Sequence, residues 1–219
     1  MPVARRETWL EWRSIMAFLP SLPDPTNLSD AMRAFPKGWA LMLAFHDELL
    51  RSESPLSIAQ RELIAAYVSG LNGCRFCYNA HTVYAESFGI AGDVFEPLMR
   101  DPESAPIEQE MRPILAYAKL LTLEPQRVER RHVQAILDAG WPEEAVADTA
   151  KVTALYNFMN RIIMGFGVDD FDEHYAKRRE AVRKQPIERR REANETQLGS
   201  SNYRDYAKQL GLFETTPRT

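Results

Sequence analysis

An all-α fold, a helical bundle with helical extensions at both ends, is what this sequence predicts. Apolar residues recur at three- and four-residue spacing along most of the chain. Alternating, strand-like runs are nearly absent. Proline and glycine interrupt the periodic stretches where helix ends would fall. The chain has 219 residues, 45% hydrophobic and 26% charged, the balance of an ordinary soluble globular protein. That length can bury a sizeable core without disulfide or metal staples.

Taken in order, residues 5–18 read as a first helix, stopped by Pro20, and Pro20, Pro23 and Pro25 mark a linker. A short helix over 29–35 ends at Pro36. The next, GWALMLAFHDELLR, is apolar on most faces and reads as buried. Ser57 can cap a helix reaching Gly70, with Leu71-Asn72-Gly73 as the turn. A further helix starts at the cysteines and ends near Gly89, a residue suited to a C-terminal cap. Residues 93–100 form a short helix. Residues 107–123 form a longer one, in which Pro113 either makes a kink or marks the real start. Residues 128–139 end at Gly140, Pro142 opens a helix to about Phe166, and a final short helix begins near Asp170. Three parts follow: an N-terminal helical extension over 1–35, a helical domain over 36–176, and a polar, arginine-rich segment over 177–219. The last reads as a solvated tail, or as an arm on a neighbouring subunit, anchored by Tyr203, Tyr206, Leu210, Leu212 and Phe213. Trp9, Trp12 and Trp39 suggest that the N-terminal extension packs on the core or on a neighbour.

Composition excludes several classes. The net charge of −4 argues against nucleic acid as a partner, since phosphate binding needs a basic surface. No apolar run reaches the ~18 residues a membrane span needs, so no membrane partner is expected. The N-terminus shows no signal-peptide core, which points to a cytoplasmic protein. A reducing compartment disfavours a purely structural disulfide.

The chemistry concentrates in RELIAAYVSGLNGCRFCYNAHTVYAESFG, which holds Glu62, Cys74, Cys77 and His81 as Glu-x11-Cys-x2-Cys-x3-His. These are the chain's two cysteines. If the helices on either side of Asn72 pair antiparallel, Glu62 and His81 come to about the same height, each helix rising about 1.5 Å per residue. Ile58, Ala65, Ala66 and Ser69 share the face of Glu62, and three of them are small enough for close approach. Cys74, Cys77, His81, Tyr84 and Phe88 form one inward seam on the next helix. Both cysteines fall near that helix's start, where the partial positive charge favours a thiolate, the reactive form. His81 could take a thiol proton, and Glu62 could orient the imidazole. Buried cysteines can also be inert core. A zinc site is disfavoured, because Cys74, Cys77 and His81 make only three ligands and Glu62 would have to be the fourth.

LSIAQRELIAAYVSGLNGCRFCYNAH resembles the signature of alkylhydroperoxidase D-like (AhpD-like) proteins, within the carboxymuconolactone decarboxylase superfamily. ILAYAKLLTLEP, VQAILDAGWPEEAVAD and YNFMNRIIMGFGVDDF resemble the downstream helices of its peroxidase-related branch, so that the resemblance covers residues 36–176. It implies an AhpD-like helical bundle that forms homo-oligomers. It also implies a peroxidatic dithiol in which Cys77 attacks a small hydroperoxide, Cys74 condenses with the resulting sulfenic acid, and His81 and Glu62 relay protons. No bound cofactor or metal is implied. An external dithiol reductant, such as a lipoylated protein, would restore the pair. One departure stands out: the best-studied type carries a further histidine inside the CxxC, where this chain has Arg75-Phe76. Arg75 either favours an anionic thiolate or points to solvent.

Phe45, His46, Tyr67, Phe76, Tyr84 and Phe88 could line an apolar pocket for an organic peroxide, although aromatic stripes more often build cores. Asp47-Glu48 beside His46 marks an exposed face. Asn157, Asn160 and Arg161 interrupt an apolar helix, and would meet helix ends across a subunit boundary or water. His132 and His174 receive no role. The leading expectation is a thiol-dependent hydroperoxide reductase. The alternatives are a disulfide oxidoreductase or redox sensor without peroxide chemistry, and a non-enzymatic oligomeric scaffold with inert cysteines.

Overall fold

The structure, a computed structural model, describes residues 18–213. The helix expected over 5–18, with Trp9 and Trp12, falls outside the described residues except for Phe18. Among the described residues there are eleven α-helices and no strand: α1 Leu28–Ala34, α2 Trp39–Arg51, α3 Ile58–Leu71, α4 Arg75–Ser87, α5 Phe95–Arg100, α6 Met111–Leu123, α7 Arg130–Asp138, α8 Glu143–Phe166, α9 Asp172–Arg183, α10 Ile187–Thr196 and α11 Asn202–Gln209. One backbone bridge joins Thr26 to Val168.

The central element is α3. It is buried almost throughout from Ile58 to Ser69, and α4, α6 and α8 pack around it. Ser57 caps it in a capping box with Gln60, which satisfies two backbone donors at once. Arg61, 1% exposed, is accommodated because its Nη1 donates to the carbonyls of Leu49 and Ser52 at 3.0 and 2.8 Å. A cation there meets the unpaired carbonyls at the end of α2. The α3–α4 turn needs glycine: Gly73 has φ +72°, a conformation that a Cβ disfavours. Pro113 sits at the third position of α6, so it marks a helix start, where its missing N–H costs nothing.

Two parts differ from the sequence expectation. Helix α2 is not buried all round: Leu41 and Phe45 are 78% and 47% exposed. An apolar pattern wider than the buried stripe leaves one face outside. The segment after 176 is also not a solvated tail. The helix expected to be short, α9, has 12 residues, and α9, α10 and α11 fold back on the chain's own core. Glu86, fully buried at the end of α4, accepts hydrogen bonds from Arg179 and Arg183, at 2.7 and 2.8 Å for their Nη2 atoms. Arg190 Nη1 donates to the Glu86 carbonyl at 2.7 Å. Helix α11 then packs on α2, where the Asp47 carboxylate accepts from the backbone N–H groups of Tyr203 and Arg204 at 2.9 and 2.7 Å. Two of the arginines that read as solvated, Arg179 and Arg183, converge on one buried carboxylate.

Candidate active site

The α3–α4 hairpin carries Glu62 on one helix and Cys77 and His81 on the other, with Cys74 at the start of the second. Cys74 is the residue before α4, and its N–H bonds back to the Ser69 carbonyl at 2.9 Å, which fixes the turn. Both thiols are free and buried, at 2% and 3% exposure. Across the helix pair, His81 Nδ1 lies 2.6 Å from Glu62 Oε2. The other carboxylate oxygen, Oε1, lies 2.7 Å from Arg51 Nη2. Burial alone would raise the Glu62 carboxyl, but Arg51 and His81 outweigh it and hold it below its ordinary range. An ionised Glu62 can only accept, so His81 Nδ1 carries the hydrogen of their bond.

The two thiols lie close enough to influence each other. A hydrogen bond from Cys77 pulls the Cys74 thiol below its ordinary range, and a hydrogen bond from Asn160 adds to this. As the donor, and by burial, Cys77 is pushed well up. The pair therefore loses a first proton more readily than its burial alone allows, and a second only reluctantly. Asn160, fully buried on α8, is a member of this site and does not reach across a subunit boundary. Its Nδ2 donates to Ser69 Oγ at 3.0 Å, and its Oδ1 accepts from Asn72 Nδ2 at 2.9 Å. One amide thus ties α8 to the hairpin turn and to the sulfurs. Asn157 lies alongside, its Oδ1 3.2 Å from Asn72 Nδ2, and Arg161 folds back onto Asn157 on the exposed side of α8.

Other residues complete the centre. His46 is buried rather than surface-facing, at 3% exposure, and Nδ1 lies 2.8 Å from the Met42 carbonyl. Burial lowers its pKa to about 4 despite that bond, so it is neutral at pH 7. Its ring lies 5.1 Å from Tyr203 and 6.0 Å from Tyr156. Tyr156 stands edge-on to His81, with 4.4 Å between centroids. The Arg51 guanidinium lies between the rings of Phe88 and Tyr203, at 5.1 and 5.4 Å. Nothing local in the sequence marks Arg51 or Tyr156, whereas Tyr203 stands among the residues expected to anchor an arm, and it anchors on its own chain. Asn160 did stand out, as a polar residue in an apolar helix.

The expected aromatic pocket does not form as one surface. Phe45 is exposed, one residue and about 100° around α2 from His46. Tyr67, five positions from Glu62, faces away from it and lines a cavity of about 470 Å³ with residues including Arg112, Leu115, Leu120 and His132. None of Glu62, Cys74, Cys77 and His81 lines that cavity. Phe88 packs with Ile58 and Ala59 and backs Arg51, Phe76 packs edge-on to Tyr175 at 5.9 Å, and Tyr84 lies 5.8 Å from His81. Arg75 is engaged elsewhere, pairing with Asp170 at 3.1 Å and with Asp172.

Fold and site together define a helical protein with two buried free thiols and a buried Arg51–Glu62–His81 cluster on one helix hairpin. Residues 36–93 match the model of the carboxymuconolactone decarboxylase family. The crystal structure of an alkylhydroperoxidase AhpD core, an uncharacterized peroxidase-related protein from Ralstonia eutropha JMP134, is similar with a TM-score of 0.64 at 23% identity, covering 68% of this chain and 79% of that one. An uncharacterized peroxidase-related protein from Silicibacter sp. TM1040 gives 0.58 at 26%, covering 62% and 71%. No curated protein matches the sequence. Among the described residues, no helix is long and apolar enough to cross a membrane.

Proposed function

We propose that this protein reduces small hydroperoxides with the Cys74–Cys77 dithiol. The observation that carries this reading is a buried His81–Glu62–Arg51 chain on the same helix hairpin as two free, buried cysteines. His81 Nε2 accepts the first proton from the dithiol, and Glu62, held ionised by Arg51, stabilises the imidazolium. The remaining proton moves along the bond between the sulfurs, so either can carry the negative charge. Cys77 is the attacking sulfur that the resemblance to AhpD-like proteins implies, and it lies one turn before His81 on the same helix face. The product sulfenic acid condenses with the Cys74 thiol to give a disulfide and water. An external dithiol, such as a lipoylated protein, returns the pair to the reduced state.

Burial favours this reading over disulfide exchange, since thiols 2–3% exposed admit a small peroxide more easily than a protein disulfide. Adding peroxide to the reduced protein should remove two hydrogens from the intact mass. Cys77→Ser should stop turnover, while Cys74→Ser should leave a sulfenic acid that dimedone traps at Cys77. Label on Cys74 in the Cys77→Ser variant, with turnover intact, would reverse the assignment of the two sulfurs. Oxidation by small disulfides with indifference to peroxide would leave an exchanger.

A further inference from the structure

The hydroxyl of Tyr156 has no task in the steps above. Tyr156 is 1% exposed, and among the described residues its Oη makes no well-formed hydrogen bond, the neighbouring Tyr203 hydroxyl, also buried, being likewise without one. Leaving a buried hydroxyl unpaired is costly, so such a group marks a place where a polar atom from outside the chain would be accommodated. Its position defines the place. Tyr156 is four residues before Asn160 on α8, so both side chains leave the same helix face. Asn160 hydrogen-bonds Ser69 and Asn72 at the turn that leads into the cysteines, and the Tyr156 ring abuts His81 at 4.4 Å. The phenol lies within electrostatic reach of Cys77 and Glu62, and burial pushes it well above its ordinary range. It therefore enters the reaction protonated, as a donor.

We propose that Tyr156 is a catalytic residue that gives its phenol hydrogen to the oxygen leaving from a hydroperoxide, a step that rests on the peroxidase reading. The Cys77 thiolate places an electron pair on the terminal oxygen of R–O–O–H. The S–O bond forms as the O–O bond breaks, so the sulfur is oxidised to a sulfenic acid and the departing oxygen is reduced to an alkoxide. The alkoxide takes the hydrogen of Tyr156 and leaves as the alcohol. The phenolate is reprotonated by the His81 imidazolium, which holds the proton that left the dithiol. Thiol plus hydroperoxide thus becomes sulfenic acid plus alcohol, with no proton taken from solvent.

The test uses oxidants that differ in their leaving group. An alkyl hydroperoxide expels a strongly basic alkoxide, which needs the hydrogen, whereas a peracid expels a weakly basic carboxylate, which does not. In single turnovers, Tyr156→Phe should slow oxidation by the alkyl hydroperoxide by ~10²-fold, the scale on which a lost donor to a developing oxyanion is felt. Oxidation by the peracid should change by only a few-fold, and alkylation of the thiols by iodoacetamide should stay as in the wild type. Equal slowing with both peroxides, slowing with neither, or a parallel fall in alkylation would overturn the role. A wild-type protein that reacts with neither peroxide removes the peroxidase reading itself, and Tyr156's part with it.

Discussion

Glu62 is the residue on which the centre turns, because it is fully buried and bound on one oxygen by His81 and on the other by Arg51. Glu62→Gln keeps the shape but leaves Arg51 with no counter-charge at 2% exposure, a change that costs about 3–5 kcal/mol when a buried pair is broken. Urea unfolding should show that loss, and peroxide turnover should fall by ~10²-fold as the imidazolium loses its support. The double variant Glu62→Gln/Arg51→Met should recover much of the stability and none of the activity. Recovery of both would make the carboxylate a structural group only. His46 gives a pH prediction at the same scale. Its pKa falls from 6.5 in the unfolded chain to about 4 when folded, so between those values the unfolded chain binds the extra proton. Stability is therefore complete above pH 6.5 and is lost as the pH falls toward 4, by about 3 kcal/mol in all. Unfolding midpoints measured from pH 7.5 to 4 should show this slope, and His46→Gln should flatten it.

Between elements, Glu86 fastens α4 to α9 and α10. Arg179 and Arg183 are 26% and 47% exposed on their side chains, so solvent screens part of their attraction. Glu86→Ala should cost about 1–3 kcal/mol, chiefly from donors left unmatched, and should open the segment beyond residue 183 to limited proteolysis before the bundle unfolds. Cleavage no faster than in the wild type would show that the clamp is redundant. The helices and most of their ends were legible in the sequence, because caps and breakers such as Ser57, Gly89 and Pro142 act over a few residues. The Glu62–His81 juxtaposition was legible for the same reason, since a hairpin's geometry follows from counting residues out from its turn. Partners from distant elements were not. Nothing local distinguishes the buried Arg51 from a surface arginine, or shows that Arg179 and Arg183 converge on one carboxylate. The aromatic pocket failed because residue type does not state which way a helix is turned, and Phe45 and Tyr67 lie on faces that α2 and α3 present elsewhere.

For the whole molecule, the consequence is that the last described helix belongs to the site. Asp47 on α2 holds the start of α11 through two backbone N–H groups, and this seats Tyr203 against both His46 and Arg51. A chain ending at Gly199 keeps α1 to α10 and the dithiol, so its far-ultraviolet circular dichroism should remain helical. It loses one of the two rings that flank the Arg51 guanidinium and the ring that covers His46. Water then reaches groups whose mutual attraction depends on its exclusion. The His46 imidazole should titrate closer to 6.5, which nuclear magnetic resonance of its ring protons reports directly. The acid-induced loss of stability should shrink in step, because the same desolvation produces both. Peroxide turnover should also fall, since a hydrated Glu62–Arg51 pair supports the His81 imidazolium less strongly. A truncated chain with an unshifted His46 titration and full turnover would make α11 a cover for α2 alone, with the proton relay complete inside residues 46–160.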